Sequence, residues 1–257
     1  MEIKILGSGT STGVPEVGCT CPVCTSADPR DRRLRASSLI HTGDATLLID
    51  CGPDFRQQML SAPFGKIDGV LITHEHYDHV GGLDDLRSFS RFGEVPVFAE
   101  AYTAEHLRAR LPYCFVENKY PGVPNIRLQN IEAGKPFRIN TTEVLPLRVM
   151  HGKLPILGYR IGKLAYITDM TTLREESYRQ LAGVELLILN ALRITPHSTH
   201  QNLEEALETS RRIGARETYL IHMSHQMGLH AEVAKDLPPH VRLASDGLTI
   251  SLTPRPT

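Results

Sequence analysis

Apolar residues in this chain come in short runs separated by polar turns, and the spacing within each run separates strand from helix. Residues 1–6 alternate and predict a first strand, followed by a Gly-, Ser- and Thr-rich loop over 7–18. Residues 38–41 and 45–50 predict a hairpin across Thr42-Gly43-Asp44. Further strands are predicted over 69–73, 95–99, 126–129, 137–139, 143–149, 159–161, 164–168, 186–190, 218–221 and 248–252. Helical spacing appears over 54–60, 83–89, 104–111, 173–181 and 203–213, with one more helix before the final strand. Asn202 is placed to cap the 203–213 helix, and Glu204 and Glu205 suit the positive end of its dipole. The stretch 113–123 carries Pro and aromatics and predicts a loop.

Strand-rich runs broken by helices in both halves fit two sheets packed face to face with helices outside. An open doubly wound sheet produces the same pattern. No Pro/Gly/Ser linker divides the chain, so a single domain over 1–257 is expected.

Composition narrows the setting without naming a chemistry. With 41% hydrophobic and 22% charged residues the chain reads as globular. A net charge of -1 offers no electrostatic footprint for a long nucleic acid or a membrane. It leaves room for a small phosphorylated substrate, because a metal site supplies its own charge. No apolar run approaches the ~18 residues of a membrane span, and the N-terminus reads as a strand rather than a signal peptide. A cytoplasmic location is the expectation. Five cysteines make a poor disulfide framework, and three crowd into Cys19, Cys21 and Cys24.

The strongest motif is Thr73-His74-Glu75-His76-Tyr77-Asp78-His79. His74 and His76 alternate at the end of an apolar strand, so both imidazoles can reach one ion. Asp78 and His79 follow as the chain turns and can reach a second ion. Gly81 and Gly82 let the backbone approach closely there. Imidazole and carboxylate together suit zinc, manganese or iron. A surface histidine cluster that binds nothing would not be expected to gather three His and one Asp directly after a buried strand.

His74-x-His76-x-Asp78-His79 resembles the signature of the metallo-β-lactamase superfamily. That resemblance implies an α/β fold, a four-layer αββα sandwich with its site at one edge of the two sheets. It also implies His151, after Val149-Met150, as the third ligand of the first metal. It implies Asp169, in Ile167-Thr168-Asp169, as a bridging carboxylate, and His222, after Leu220-Ile221, as a ligand of the second. The implied set is His74, His76 and His151 on one ion, Asp78, His79 and His222 on the other, and Asp169 between them. Water held between two such ions loses a proton near neutral pH and becomes the nucleophile.

Cys19-x-Cys21-x-x-Cys24 brings three thiolates together, and a structural zinc wants a fourth ligand. His225, in His222-Met223-Ser224-His225, is the candidate. Zinc held by Cys19, Cys21, Cys24 and His225 would pin the N-terminal loop beside the catalytic site. Cys51 and Cys114 have no comparable partners in sequence.

A dinuclear site with a Cys3His zinc resembles the phosphodiesterases of phosphonate breakdown, which open phosphoribosyl 1,2-cyclic phosphate. Gly-Thr and Gly-Val-Pro near the start, His151-x-Lys153-Leu154 with Gly158-Tyr159, and His222-x-x-His225-Gln226 carry the likeness. A further active-site histidine of that family falls on His200, with His197 close by in sequence. Asp78 and His200 are therefore the candidate catalytic residues, His200 as general acid. Asp50-Cys51-Gly52-Pro53 and Asn190-Ala191-Leu192-Arg193 depart from that family and look more like its uncharacterised relatives.

Ribonuclease Z shares the dinuclear motif but usually carries a basic arm for tRNA, which is not seen here. The pyrroloquinoline-quinone-associated B proteins share the Cys cluster but not the intact His/Asp motif. Lactonases and thioesterases share the motif without the Cys cluster. The Gly7–Gly13 loop lacks the Gly-Lys-Ser/Thr ending of a P-loop. The expected protein is a metal-dependent hydrolase of a small, cyclic phosphodiester, with two catalytic divalent metals (Zn or Mn, with Fe as a further option) and one structural Zn. A lactone or thioester hydrolase, a ribonuclease Z-like nuclease and a non-catalytic metal-binding protein are the alternatives. Dimers are common in the superfamily, so a homodimer is one option, and the sequence leaves the oligomeric state open.

Overall fold

The computed structural model describes residues 1–116, 118, 120 and 122–252. Three residues of the expected 113–123 loop, at 117, 119 and 121, lie outside the described residues, as do 253–257.

The first half of the chain builds one sheet from β1 (Glu2–Gly7), β2 (Ser37–His41), β3 (Thr46–Ile49), β4 (Gly69–Leu71), β5 (Val95–Ala99) and β6 (Ile126–Asn130). The second half builds the other from β7 (Phe137–Ile139), β8 (Thr142–His151), β9 (Leu154–Ile161), β10 (Leu164–Ile167), β11 (Thr172–Leu173), β12 (Leu186–Asn190), β13 (Glu217–Ile221) and β14 (Val241–Leu243). The last strand, β15 (Thr249–Ser251), returns to pair with β1. The sheet orders are β15-β1-β2-β3-β4-β5-β6 and β11-β8-β9-β10-β12-β13-β14, with β7 alongside β8.

The alternation inside these strands explains the layers. Leu47 and Ile49 of β3 meet Leu186 and Ile188 of β12 in a core between the sheets. Leu48, one position away, faces α1 (Phe55–Met59) and α3 (Ala101–Arg110) through Phe55 and Leu107. Leu187 and Leu189 face Leu203 and Leu207 of α5 (Leu203–Ile213). Because both faces of these strands are covered, their sequences read as unbroken apolar runs. The result is an αββα sandwich with two separate sheets, which settles the choice against a single doubly wound sheet.

Several element boundaries differ from expectation for local reasons. Strand β9 begins at Leu154 rather than 159. Pro155 sits at the strand's start, where a missing N–H is tolerated, and Gly158 interrupts the apolar run. Residues 77–80 form a short helix, α2 (Tyr77–Val80), within the metal motif. The helix expected over 173–181 shortens to α4 (Glu175–Gln180), because Thr172 and Leu173 pair with β8 as β11. Helix α5 matches expectation, with a full capping box between Asn202 and Glu205. No described helix is long and apolar enough to cross a membrane.

The topology positions the site. Strands β3 and β4 run parallel, as do β10, β12 and β13. Their C-terminal ends deliver Asp50, His74, Asp169, Asn190 and His222 to one edge of the sandwich, where the end of β8 adds His151.

Candidate metal centre

Three strand ends leave the regular backbone in the same way. Asp50 (φ 58°), Asp169 (φ 55°) and His222 (φ 55°) are all left-handed. Non-glycine residues held in such backbone cost about 1–3 kcal/mol each and cluster where a site demands a particular side-chain direction. Close backbone approach helps as well. A Cβ on Gly52 would sit 2.0 Å from the Asp78 carbonyl, and one on Gly82 2.0 Å from the Gly52 carbonyl. The β3 end and α2 are thus packed backbone to backbone.

The donor atoms of His74, His76 and His151 lie within 4.8 Å of one another, and so do those of Asp78, His79, Asp169 and His222. Asp169 touches both groups. Its Oδ2 is 3.2 Å from His222 Nε2 and 3.9 Å from His74 Nε2, and its Oδ1 is 3.4 Å from His79 Nε2. His200 Nε2 lies 3.2 Å from Asp169 Oδ2. His197, its neighbour in sequence, reaches His200 Nδ1 at 3.3 Å rather than Asp169.

The protons on these rings are directed away from the cluster. His74 Nδ1 is 3.0 Å from the Thr73 hydroxyl, which donates to the Asp50 carboxylate at 2.9 Å. His79 Nδ1 donates to Asp50 Oδ2 at 2.7 Å. His151 Nδ1 donates to the Thr199 carbonyl at 2.9 Å. In each ring Nε2 is left facing the cluster, an arrangement typical of metal-ligating histidines.

The residues fit a pair of cations. Among the described residues, His79 Nε2 and both ring nitrogens of His222 are buried without a hydrogen-bond partner. Burial would lower the His79 pKa, yet Asp78, Asp169 and Asp50 together hold it well above its ordinary value. Burial alone would raise the Asp169 carboxyl, but His222 and His79 keep it well below the usual carboxylate range. Carboxylates that draw a proton so strongly into a buried pocket also favour a divalent cation there. Burial, reinforced by His79, depresses the His74 pKa, so its ring is neutral and available as a ligand.

Asp50 and Asn190, which depart from the phosphonate-enzyme pattern, prove to support the site. Asp50 is fully buried and orients both His74 and His79. Asn190 accepts from the Met170 N–H at 2.8 Å and donates to its carbonyl at 3.1 Å, holding the turn that carries Asp169. The signal for Asp50 was present in the sequence as a carboxylate directly after the apolar run Leu47-Leu48-Ile49. We expect Asp50→Ala to weaken metal retention by about 10–100-fold, the usual effect of losing an orienting partner. Chelator titration followed by metal analysis checks this.

A second cluster lies in the N-terminal loop. Donor atoms of Cys19, Cys21, Cys24 and His225 also fall within 4.8 Å of one another. Cys24 Sγ is 3.3 Å from His225 Nδ1, and the Cys24 and Glu16 N–H groups donate to Cys21 and Cys24 sulfurs at 3.4 Å. Three thiols and one imidazole in a closed group match the donor set of a structural zinc. The same loop is tied to the catalytic edge by backbone bonds from Met223 N to Ser8 O (3.0 Å) and Thr10 N to Met223 O (3.1 Å). Cys51 and Cys114 are buried elsewhere in the core.

A cavity of about 610 Å³ runs along α5 past Leu207 and Pro238 and includes none of the clustered residues.

A model of the beta-lactamase superfamily domain matches residues 45–223, and the chain belongs to that superfamily. A Porphyromonas gingivalis protein named octanoyltransferase is 49% identical over 250 residues, which cover 96% of this chain and 51% of that protein. The chain therefore spans about half the length of that relative. A crystal structure described as a new diphosphatase from the PhnP family superposes with a TM-score of 0.90 at 38% identity, covering 97% of this chain and 96% of that one. Zn(2+)-bound PqqB from Methylobacterium extorquens shares the fold, with a TM-score of 0.77 at 21% identity, covering 98% of this chain and 100% of that one.

Proposed function

We propose that this hydrolase cleaves a P–O bond in a small phosphodiester or diphosphate, cyclic phosphodiesters among them. The observation that carries the reading is Asp169 lying between two histidine groups with His200 against it. In this reading His74, His76 and His151 hold one divalent ion, Asp78, His79 and His222 hold another, and Asp169 is shared. Zinc or manganese, with iron as a further option, would supply an acidified water and neutralise charge on phosphoryl oxygens. Asp78 would orient the attacking water, its carboxylate kept ionised by His79 and His222 against the penalty of burial. His200 protonates the leaving oxygen, its ring steered by Asp169 and by the Thr199 hydroxyl at 3.0 Å from Nδ1. Asp50 and Asn190 keep the ligands from turning away. The likeness to a PhnP-family diphosphatase supports phosphoryl chemistry.

His200→Ala is expected to lower kcat by about 10²–10⁴, the range for a general acid, while metal content stays unchanged. Loss of metal in that variant would make His200 a ligand and remove the acid role. The relative named octanoyltransferase favours a second reading, hydrolysis of an acyl ester or thioester. Octanoyl thioester cleavage outpacing phosphodiester cleavage would favour it over the first.

A further inference from the structure

We propose that Arg193 is a positioning residue whose guanidinium clamps the loop that carries His200 onto the segment that carries His225. Its effect on catalysis rests on the phosphoryl reading above.

The loop leaves β12 after Asn190 and enters α5 at Leu203, and its two ends are drawn together. Leu192 N donates to the Gln201 carbonyl at 2.9 Å, and Leu203 N to the Arg193 carbonyl at 2.9 Å. The later limb is held at the catalytic edge. The Thr199 carbonyl accepts from His151 Nδ1 at 2.9 Å and from the Thr171 hydroxyl at 2.5 Å. Thr199 also packs on Gly152, where a Cβ would stand 3.2 Å from its Cγ2. The earlier limb has no such support. Ile194, Thr195 and Pro196 are exposed. Among the described residues, one backbone bond joins 194–198 to the rest of the fold, from Ile194 N to the Gln226 carbonyl at 3.4 Å.

Arg193 makes good that deficit. Its Nε donates to the Thr195 carbonyl at 3.1 Å and its Nη2 to the Pro196 carbonyl at 2.6 Å, which curls the earlier limb around the guanidinium. Its Nη1 donates to Gln226 Oε1 at 2.9 Å. Three acceptors in one plane call for the rigid fork of a guanidinium, which an ammonium does not reproduce. Gln226 follows His225, whose Nδ1 lies 3.3 Å from Cys24 Sγ. Ser224 adds a second tie, since its hydroxyl donates to the Leu192 carbonyl at 2.9 Å and accepts from the Gln226 N–H at 3.2 Å. The earlier limb is thereby fastened to the Cys/His cluster, and His197 and His200 follow along the loop. Arg193 belongs to the Asn190–Arg193 run that departs from the phosphonate-enzyme pattern, and this bonding gives it a use. His200 Nε2 stands 3.2 Å from Asp169 Oδ2, with Thr199 fixing the loop on one side and Arg193 on the other. A shift of about 1 Å in a group so placed can cost roughly 10²-fold in rate.

The test is residue-resolved hydrogen exchange on the metal-loaded full chain, with kcat, KM and metal content measured on the same samples. Arg193→Ala should speed exchange at the Ile194 and Thr199 amides by about tenfold or more and leave the amides of β12 and β13 at parent rates. Its kcat should fall about 10–100-fold, with KM within about twofold and metal content unchanged. Added guanidinium chloride, at millimolar concentration, should restore part of the kcat and slow the exchange again. Arg193→Lys keeps the charge without the fork and should behave as Arg193→Ala does. Gln226→Ala removes one of the three bonds and should give a smaller change in the same direction. Parent-level exchange in Arg193→Ala would overturn the clamp. So would full recovery in Arg193→Lys, which would assign the effect to charge, or loss of metal from Arg193→Ala. Absence of bis(p-nitrophenyl) phosphate turnover in the parent counts against the hydrolytic reading, and the exchange result then judges the clamp by itself.

Discussion

Asp169→Ala should abolish turnover, by at least about 10³-fold, and release metal from the catalytic edge. Among the described residues, the Asp169 carboxylate is the one group within 4 Å of His74, His79, His222 and His200 together. Removing it leaves the imidazoles of both groups without their shared anion. Losing several kcal/mol of charge stabilisation, at about 1.4 kcal/mol per decade of rate, gives the stated size. The backbone adds to the damage, because Asp169 is left-handed at φ 55° and Ala tolerates that region poorly. Asp169→Asn separates the two causes. Asn accepts left-handed backbone and keeps the side-chain shape, so a matching loss of metal and rate in Asn assigns the effect to charge. Parent-level activity in both variants would remove Asp169 from its shared position.

Cys21→Ser should lose one zinc per chain and lower Tm by about 10 °C. A structural zinc stabilises only the folded form, and about 1 kcal/mol corresponds to roughly 2–4 °C in a domain of this size. Cys21 sulfur already accepts the Cys24 N–H, which lowers its pKa, while burial pushes the Cys24 thiol up to about 11. A cation would turn all three sulfurs into thiolates and relieve that opposition. The effect should reach the catalytic edge, because His225 follows His222 and the Ser8–Thr10 segment is bonded to Met223. Turnover should therefore fall together with zinc. Unchanged zinc stoichiometry in Cys21→Ser would dismiss the Cys3His site.

His151, Asp169 and His222 entered through the resemblance to the metallo-β-lactamase signature, and the apolar runs Leu164–Ile167 and Glu217–Ile221 only placed the last two just beyond strand ends. Residues within one turn of chain, such as His74 through His79, could be read from spacing alone. The orienting groups could not. Asp50, just past β3, reaches His79 on α2, and His151, at the end of β8, depends on the carbonyl of Thr199 in the loop after β12, so these partnerships exist only once non-adjacent segments of each half have come together. The pairing order has the same origin. No local pattern states that β15 closes against β1, or that the three-residue strand β14 lies beside β13.

Metal analysis of the purified chain, combined with hydrolysis of bis(p-nitrophenyl) phosphate with and without added manganese, tests the central claim most directly. The account predicts about three metals per chain, two of them removable together with activity, and phosphodiester cleavage that rises with manganese. Metals bound at both clusters without any phosphodiester cleavage would contradict it.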